Sequence, residues 1–150
     1  MERFEKTFTV RWADVDANGH MRHSAYADYG ADVRIALFVD QGLGPDHFFA
    51  VGIAPVLLKE ELEYLKEMKL SETFQATCTA LALSPDGARW RLLHEFLRGD
   101  GRLAARIVAT GGWIDLKTRR LSPATPEMVA LMNALPRAPE FEELRSLGRF

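Results

Sequence analysis

The chain has 150 residues, of which 47% are hydrophobic and 27% charged, and a formal net charge of -2. This length predicts one domain, 1–150, with a sizeable core, and the charge balance calls for no nucleic acid or anionic membrane as partner. No apolar run reaches the roughly 18 residues of a membrane span, the charged start lacks a signal peptide's apolar stretch, and the one cysteine, Cys78, excludes an internal disulfide and a cysteine-based zinc cluster, so a cytoplasmic location is expected.

Thr7–Trp12 alternates strictly, with Phe8, Val10 and Trp12 on one face, and predicts a half-buried strand. A polar loop, Ala13–Arg22, follows. From His23 to Val39 the period becomes helical, and Tyr26, Tyr29, Gly30, Val33 and Leu37 make one apolar stripe. Gly30 in mid-stripe costs about 1 kcal/mol against alanine, which predicts close approach of the helix to a sheet. Gln41–Pro45 ends the helix, and residues 46–54, with Phe48 and Phe49, read as a loop or short turn.

Pro55–Lys66 places Leu58, Leu62 and Tyr64 at even spacing, as in a strand, although its Glu and Lys content also suits a helix. Glu72–Leu83 and Ala88–Arg98 alternate clearly and are joined by the turn Ser84-Pro85-Asp86-Gly87. On Glu72–Leu83, Cys78 reads as packing. A hairpin turn, Gly99-Asp100-Gly101, leads into the apolar run Leu103–Leu116, where Gly111-Gly112 predicts a bulge or bend. Thr125 caps a short helix with Pro126 at its first position, running to about Leu135. The tail after Pro136 is expected to be disordered or to dock on the surface. The order β, α, then four strands predicts an α+β fold: one antiparallel sheet with a helix on one face.

The run Arg11-Trp12-Ala13-Asp14-Val15-Asp16-Ala17-Asn18-Gly19-His20-Met21-Arg22-His23 carries the chemistry. Three readings compete for it: a metal loop, an acid–base site, and an ordinary turn before a capped helix. Asp14–Gly19 matches the first six positions of a calcium loop, but position twelve is Ala25 rather than a bidentate glutamate, and a strand precedes it. His20 and His23 could share a helix face, yet His47 and His94 are distant and no ligand spacing appears. No metal is therefore expected. The acid–base reading rests on backbone N–H groups at a strand-to-helix junction, beside carboxylates that can act on a carbonyl those groups polarise. Ser24 beside His23 lacks the third member of a serine triad.

The strand, the pattern Asp14-x-Asp16-x-x-Gly19-His20 and the following helix with Tyr26 resemble hotdog-fold acyl-CoA thioesterases, the 4-hydroxybenzoyl-CoA and Tol-Pal-associated types. The resemblance covers roughly residues 5–118 and leaves a C-terminal helix and tail at 123–150. It implies a hotdog fold, an antiparallel sheet wrapped around a long central helix. It also implies hydrolysis of an acyl-CoA, or an acyl carrier protein thioester, to the free acid without a cofactor. Asp16 falls on the catalytic carboxylate, acting as nucleophile or general base. His23 falls on the first helical residue, whose backbone N–H polarises the thioester carbonyl. Gly19 matches the motif glycine and Tyr26 the tyrosine near the helix start, and His20 is a pocket residue or a loop anchor. Arg22 departs from the family's usual asparagine or aromatic residue. Asp14 reads as scaffolding.

The anionic coenzyme should meet basic residues, for which Arg89 and Arg91 are the candidates, with Lys117, Arg119 and Arg120 behind them. Glu61 and Glu63 are possible second carboxylates. The resemblance further implies a homodimer, which could pair again into a tetramer. Two rival functions remain at this level: a hotdog hydratase or dehydratase using a histidine with a carboxylate, and a non-catalytic acyl-CoA binding module.

Overall fold

The computed structural model describes residues 3–146; Met1, Glu2 and the last four residues of the expected tail lie outside that range. β1 (Phe4–Thr9) leads through a 3-10 turn at Trp12–Asp14 into α1 (His23–Asp40) and α2 (Pro45–Val51). β2 (Ile53–Tyr64), β3 (Thr73–Leu83), β4 (Trp90–Arg98) and β5 (Leu103–Asp115) follow, then β6 (Leu121–Ser122), α3 (Pro126–Ala134) and β7 (Arg137–Glu143). The strands form one sheet in the order β1-β3-β4-β5-β2, with β6 added to β5 and β7 to β3. Among the described residues only the β3–β7 pairing is parallel. Among the described residues no helix is long and apolar enough to cross a membrane.

The α1 stripe is buried as its period predicts, with Tyr26, Tyr29, Gly30, Val33 and Leu37 all facing the sheet. Residues as fully covered as Val33 and Leu37 contribute about 1.5–3 kcal/mol each. The facing strands supply Phe74, Ala76 and Cys78 from β3, Trp90, Leu92, His94 and Phe96 from β4, and Ala105, Ile107 and Ala109 from β5. A Cβ on Gly30 would stand 3.1 Å from Ile107 Cδ1 and 3.6 Å from His94 Cδ2, so the glycine lets helix and sheet close on each other. A sheet wrapped on one long helix is the hotdog arrangement.

Helix α1 ends in a Schellman motif. Leu43 N–H donates to the Phe38 carbonyl at 2.8 Å and Gly42 N–H to the Val39 carbonyl at 3.0 Å, with Gly42 at φ +78° and Leu43 buried behind it. Gly111 is constrained more tightly still, because a Cβ there would collide with the Val56 carbonyl and the Trp90 ring. The irregularity expected at Gly111-Gly112 lies on the facing strand instead. Gly111 pairs with Leu57 and Thr110 with Lys59, which leaves Leu58 as the extra residue of a bulge. That bulge leaves Leu58 58% exposed, so Leu58 does not share the inward face that its even spacing with Leu62 suggests.

Three other expectations are corrected. Trp12 is 80% exposed, because the chain leaves β1 after Thr9 and turns before the alternation reaches it. Residues 46–54 hold a helix, α2, with Pro45 in its first turn and Gly52 at φ +74° as its cap; seven residues are too few to show a period. The part of the tail at Arg137–Glu143 joins the sheet beside β3 rather than being disordered or merely docked. Its Pro139 and four acidic-rich final positions hide the strand, while Ala138 is buried and the Arg137 guanidinium lies 4.2 Å from the Phe141 ring centroid.

Candidate active site

The loop between β1 and α1 is built on Asp14. Its carboxylate accepts from the Arg11 backbone N–H (3.0 Å), from Arg11 Nε (3.1 Å) and Nη2 (2.9 Å), and from the Tyr29 hydroxyl. Burial would push this carboxyl up, but the Arg11 side chain, the Tyr29 hydroxyl and the Arg11 N–H outweigh it and hold it at about 2. Because Tyr29 sits on the buried stripe of α1, this cluster fixes the loop to the helix. The Asp14 carbonyl takes the Arg22 N–H at 2.7 Å, and the Arg22 guanidinium folds back onto the Ala13 carbonyl and the Ser24 hydroxyl. Arg22 and Ser24 therefore hold the loop's exit.

Asp16 faces the other way and is exposed. Its Oδ1 accepts from the Asn18 N–H at 2.9 Å and the His20 N–H at 3.2 Å, and Oδ2 takes no hydrogen bond from any described residue. The Asp16 carbonyl accepts the Gly19 N–H at 3.0 Å, with Gly19 at φ +77°, where a side chain would be strained. The loop is stapled to the segment after β2: Met21 N–H donates to the Met68 carbonyl (2.7 Å), and Leu70 N–H to the Gly19 carbonyl (3.2 Å). His20 adds an ion-pair contact, Nε2 to Glu67 Oε2 at 2.7 Å.

Asp16, His23 and Tyr26 line one open groove of about 340 Å³, together with Met21, Tyr64, Leu65, Lys66 and Glu67. Arg22, at the N-cap of α1, gives no side-chain cap to the helix. The His23 backbone N–H has no acceptor among the described residues, and the helix dipole adds positive character there. The Tyr26 ring packs edge-on against Tyr64 and Phe96, each at 5.4 Å between centroids, and burial pushes its hydroxyl up to about 12. The Tyr64 hydroxyl donates to the His23 carbonyl at 3.2 Å, which ties the end of β2 to the helix start.

The structure thus gathers Asp16, Gly19, His20, His23 and Tyr26 at one place. It does not bring Arg89 or Arg91 there. Arg91 pairs with Glu142 of β7 at 3.0 Å, and Arg89 donates to the Arg145 carbonyl at 3.1 Å. Arg91 lies five residues along β4 from Phe96, which is about 17 Å. Lys117, Arg119 and Arg120 follow Asp115, ten residues or about 33 Å along β5 from the Ala105 end that meets the groove. Glu61 and Glu63 are exposed beside Lys59 and Arg106. Tyr64, Lys66 and Glu67 were not legible as groove residues, because only the β2–β5 register carries them to the helix start. Among the described residues no group of three or more His, Cys, Asp or Glu side chains could hold a metal ion.

Comparison with known proteins bears on this arrangement. A family model described as "Thioesterase-like superfamily" matches residues 10–132. No curated protein sequence shows significant similarity to the chain. Among solved structures, protein SAV2348 from Staphylococcus aureus, in complex with CoA, superposes with a TM-score of 0.83 at 23% identity, covering 91% of this chain and 88% of that one. A 1,4-dihydroxy-2-naphthoyl-CoA thioesterase from Synechocystis gives 0.79 at 16% identity, over 89% and 97%. The gentisyl-coenzyme A thioesterase BH1999 gives 0.75 at 15%, over 85% and 98%. The family match runs from the residue after β1 into α3 and includes the whole Asp16 loop; with the sheet-on-helix architecture, it places this chain in the thioesterase-like superfamily with a hotdog fold.

Proposed function

We propose that this chain hydrolyses acyl-CoA thioesters to a carboxylic acid and coenzyme A. The observation that carries the reading is the meeting of Asp16 with the uncapped start of α1 in one groove. The thioester carbonyl oxygen takes the His23 N–H, and negative charge developing on it is stabilised by that donor and the helix dipole; one such donor is worth about 3 kcal/mol of barrier. Asp16 offers Oδ2 to the reaction while Oδ1 stays anchored in the loop. As a base it takes a proton from the water that attacks the carbonyl carbon; as a nucleophile it forms a mixed anhydride that water then opens. In both routes the C–S bond breaks and the pair of electrons leaves on sulfur as a thiolate, which is then protonated. In ¹⁸O-water, single turnover leaves label in the Asp16 carboxylate only if an anhydride forms and water opens it at the Asp16 carbonyl; trapping the anhydride with hydroxylamine as the acyl hydroxamate covers opening at the acyl carbon.

Gly19 sets the turn, His20 holds the loop, and Tyr26 walls the acyl side. An acyl carrier protein thioester is the alternative substrate, so both carriers belong in the assay. Neighbours named as thioesterases for different aryl groups, and one solved with CoA, support the coenzyme A thioester class while leaving the acyl group open. The experiment is thiol release from an acyl-CoA panel by the wild type and Asp16→Asn. Undiminished release by the variant sinks the role of Asp16.

The assembly belongs to the same proposal. β2 is the last strand of the sheet and, among the described residues, has no partner along its outer side, with Leu57 42%, Leu58 58% and Tyr64 51% exposed. An open strand edge is a template for another strand, and Ile35 and Val39 of α1 are exposed as well. A second copy pairing edge to edge covers both, giving a homodimer or a dimer of dimers; sedimentation tests it. Arg89 and Arg91 then serve coenzyme A only if a second copy brings them to the groove. One observation favours a second reading: the His20–Glu67 contact beside the groove joins a histidine to a carboxylate, the combination a hydratase uses. Loss of enoyl-CoA absorbance without thiol release would select it.

A further inference from the structure

A second cleft lies along the same seam between α1 and β2. It measures about 220 Å³ and is lined by Ala31, Arg34, Ile35 and Phe38 of α1, Pro55 and Leu57 of β2, and Trp90. Its walls are apolar except for the Arg34 guanidinium. Arg34 Nη1 lies 2.9 Å from Nε2 of buried His94, whose Nδ1 lies 3.0 Å from the Thr77 carbonyl. A carbonyl only accepts, so Nδ1 carries the proton and Nε2 accepts from Arg34. A neutral imidazole thus orients the guanidinium without cancelling its charge. No ion pair of Arg34 with a carboxylate occurs among the described residues. Its other donors are not among the buried, unbonded atoms, so they open toward the cleft.

The placement relative to Asp16's groove follows from helix geometry. His23 and Arg34 are eleven residues apart, which puts them within about 20° of the same line on α1 and about 16 Å apart along it. An acyl chain whose carbonyl sits on the His23 N–H can follow this seam past Ala27 and Ala31 to Arg34. A partly buried guanidinium that no carboxylate contacts, with the Glu60 charge of β2 acting on it from beyond ion-pair distance, suits one planar carboxylate at the end of an apolar chain. Coenzyme phosphates, by contrast, need several exposed cations.

Building on the thioester reading above, we propose that Arg34, oriented by His94, is a specificity residue that selects acyl groups ending in a carboxylate. The test is calorimetric binding, to the full chain, of two non-hydrolysable acyl-CoA thioether analogues of equal length, one ending in methyl and one in carboxylate, with free coenzyme A as a third probe. The wild type should prefer the carboxylate-ended analogue. Arg34→Gln should reduce that preference at least tenfold, and Arg34→Lys should restore part of it. An unchanged preference overturns the proposal. Equal weakening of all three ligands also overturns it, by assigning Arg34 to the phosphates or, if sedimentation shows the assembly dissociating, to the subunit contact. Binding does not depend on turnover, so absence of thiol release would remove the hydrolytic reading and leave this result standing on its own.

Discussion

Asp14 and Asp16 are two residues apart in one loop and have opposite surroundings. Asp14 is 2% exposed, with both oxygens engaged by Arg11 and Tyr29, and it is held ionised at about 2. Asp16 is exposed, anchored through Oδ1 alone, and stands beside the open start of α1. A carboxylate whose lone pairs are all engaged organises backbone; one with an oxygen left over can take a proton or attack a carbon. Motif spacing places both aspartates, but partners decide which does which.

Exchanging each aspartate for asparagine should break the pair apart. Asp16→Asn should lower kcat by about 10²–10⁴-fold, the usual weight of a positioned base, while shifting stability by no more than about 0.5 kcal/mol, as at other exposed sites. Asp14→Asn should do the reverse. It takes the carboxylate charge away from exposed Arg11 and from the Tyr29 hydroxyl and costs about 2 kcal/mol of stability, read as a fall in the urea midpoint. A variant Asp14→Asn that keeps its midpoint but loses turnover would exchange the roles assigned here.

Acid sharpens the same contrast. Asp14 titrates at about 2 when folded and near 3.9 when unfolded. Its stabilisation, about 2 kcal/mol, is therefore complete above pH 4 and lost as pH falls toward 2. His94 is pushed down to about 3 by burial, with the Arg34 charge adding to it, against roughly 6.5 unfolded. The unfolded chain takes up that proton first, so stability falls from about pH 6.5 toward pH 3, with a slope of up to about 1.4 kcal/mol per pH unit. Denaturation midpoints measured against pH should flatten above pH 4 in His94→Gln and below pH 4 in Asp14→Asn.

The same division marks what was legible in the sequence. Helix α1, its stripe and the close approach at Gly30 follow from periodicity, because burial enforces period 3.6 over eighteen residues. Strands β3 and β4 follow from alternation in the same way, and β5 from its long apolar run. The short elements do not: α2 has seven residues, and β7 is exposed at most positions, so neither has a face long enough to write a pattern. Trp12 misled because alternation says nothing about where a strand stops. In the groove, Asp16, His23 and Tyr26 are close in sequence and could be named from the motif. Tyr64 and Glu67 reach it through pairing of β2 with β5, Tyr64 opposite Ala105, and Arg34 meets His94 across 60 residues. Contacts of that kind are set by register, which no local pattern records.

The smallest effect belongs to the contact between Asp16's loop and the segment after β2. His20 and Glu67 are 32% and 62% exposed at the side chain, so water screens most of their attraction. Their influence on Asp16 passes through the His20 backbone N–H on Oδ1, at 3.2 Å. Glu67→Gln keeps the size of the side chain and one acceptor, and removes only its charge. It should lower kcat by no more than about fivefold, the equivalent of roughly 1 kcal/mol for an exposed pair, with KM little changed. A loss near that of Asp16→Asn would mean that His20 and Glu67 handle the proton themselves, and the chemistry would move from the helix start to the histidine–carboxylate pair.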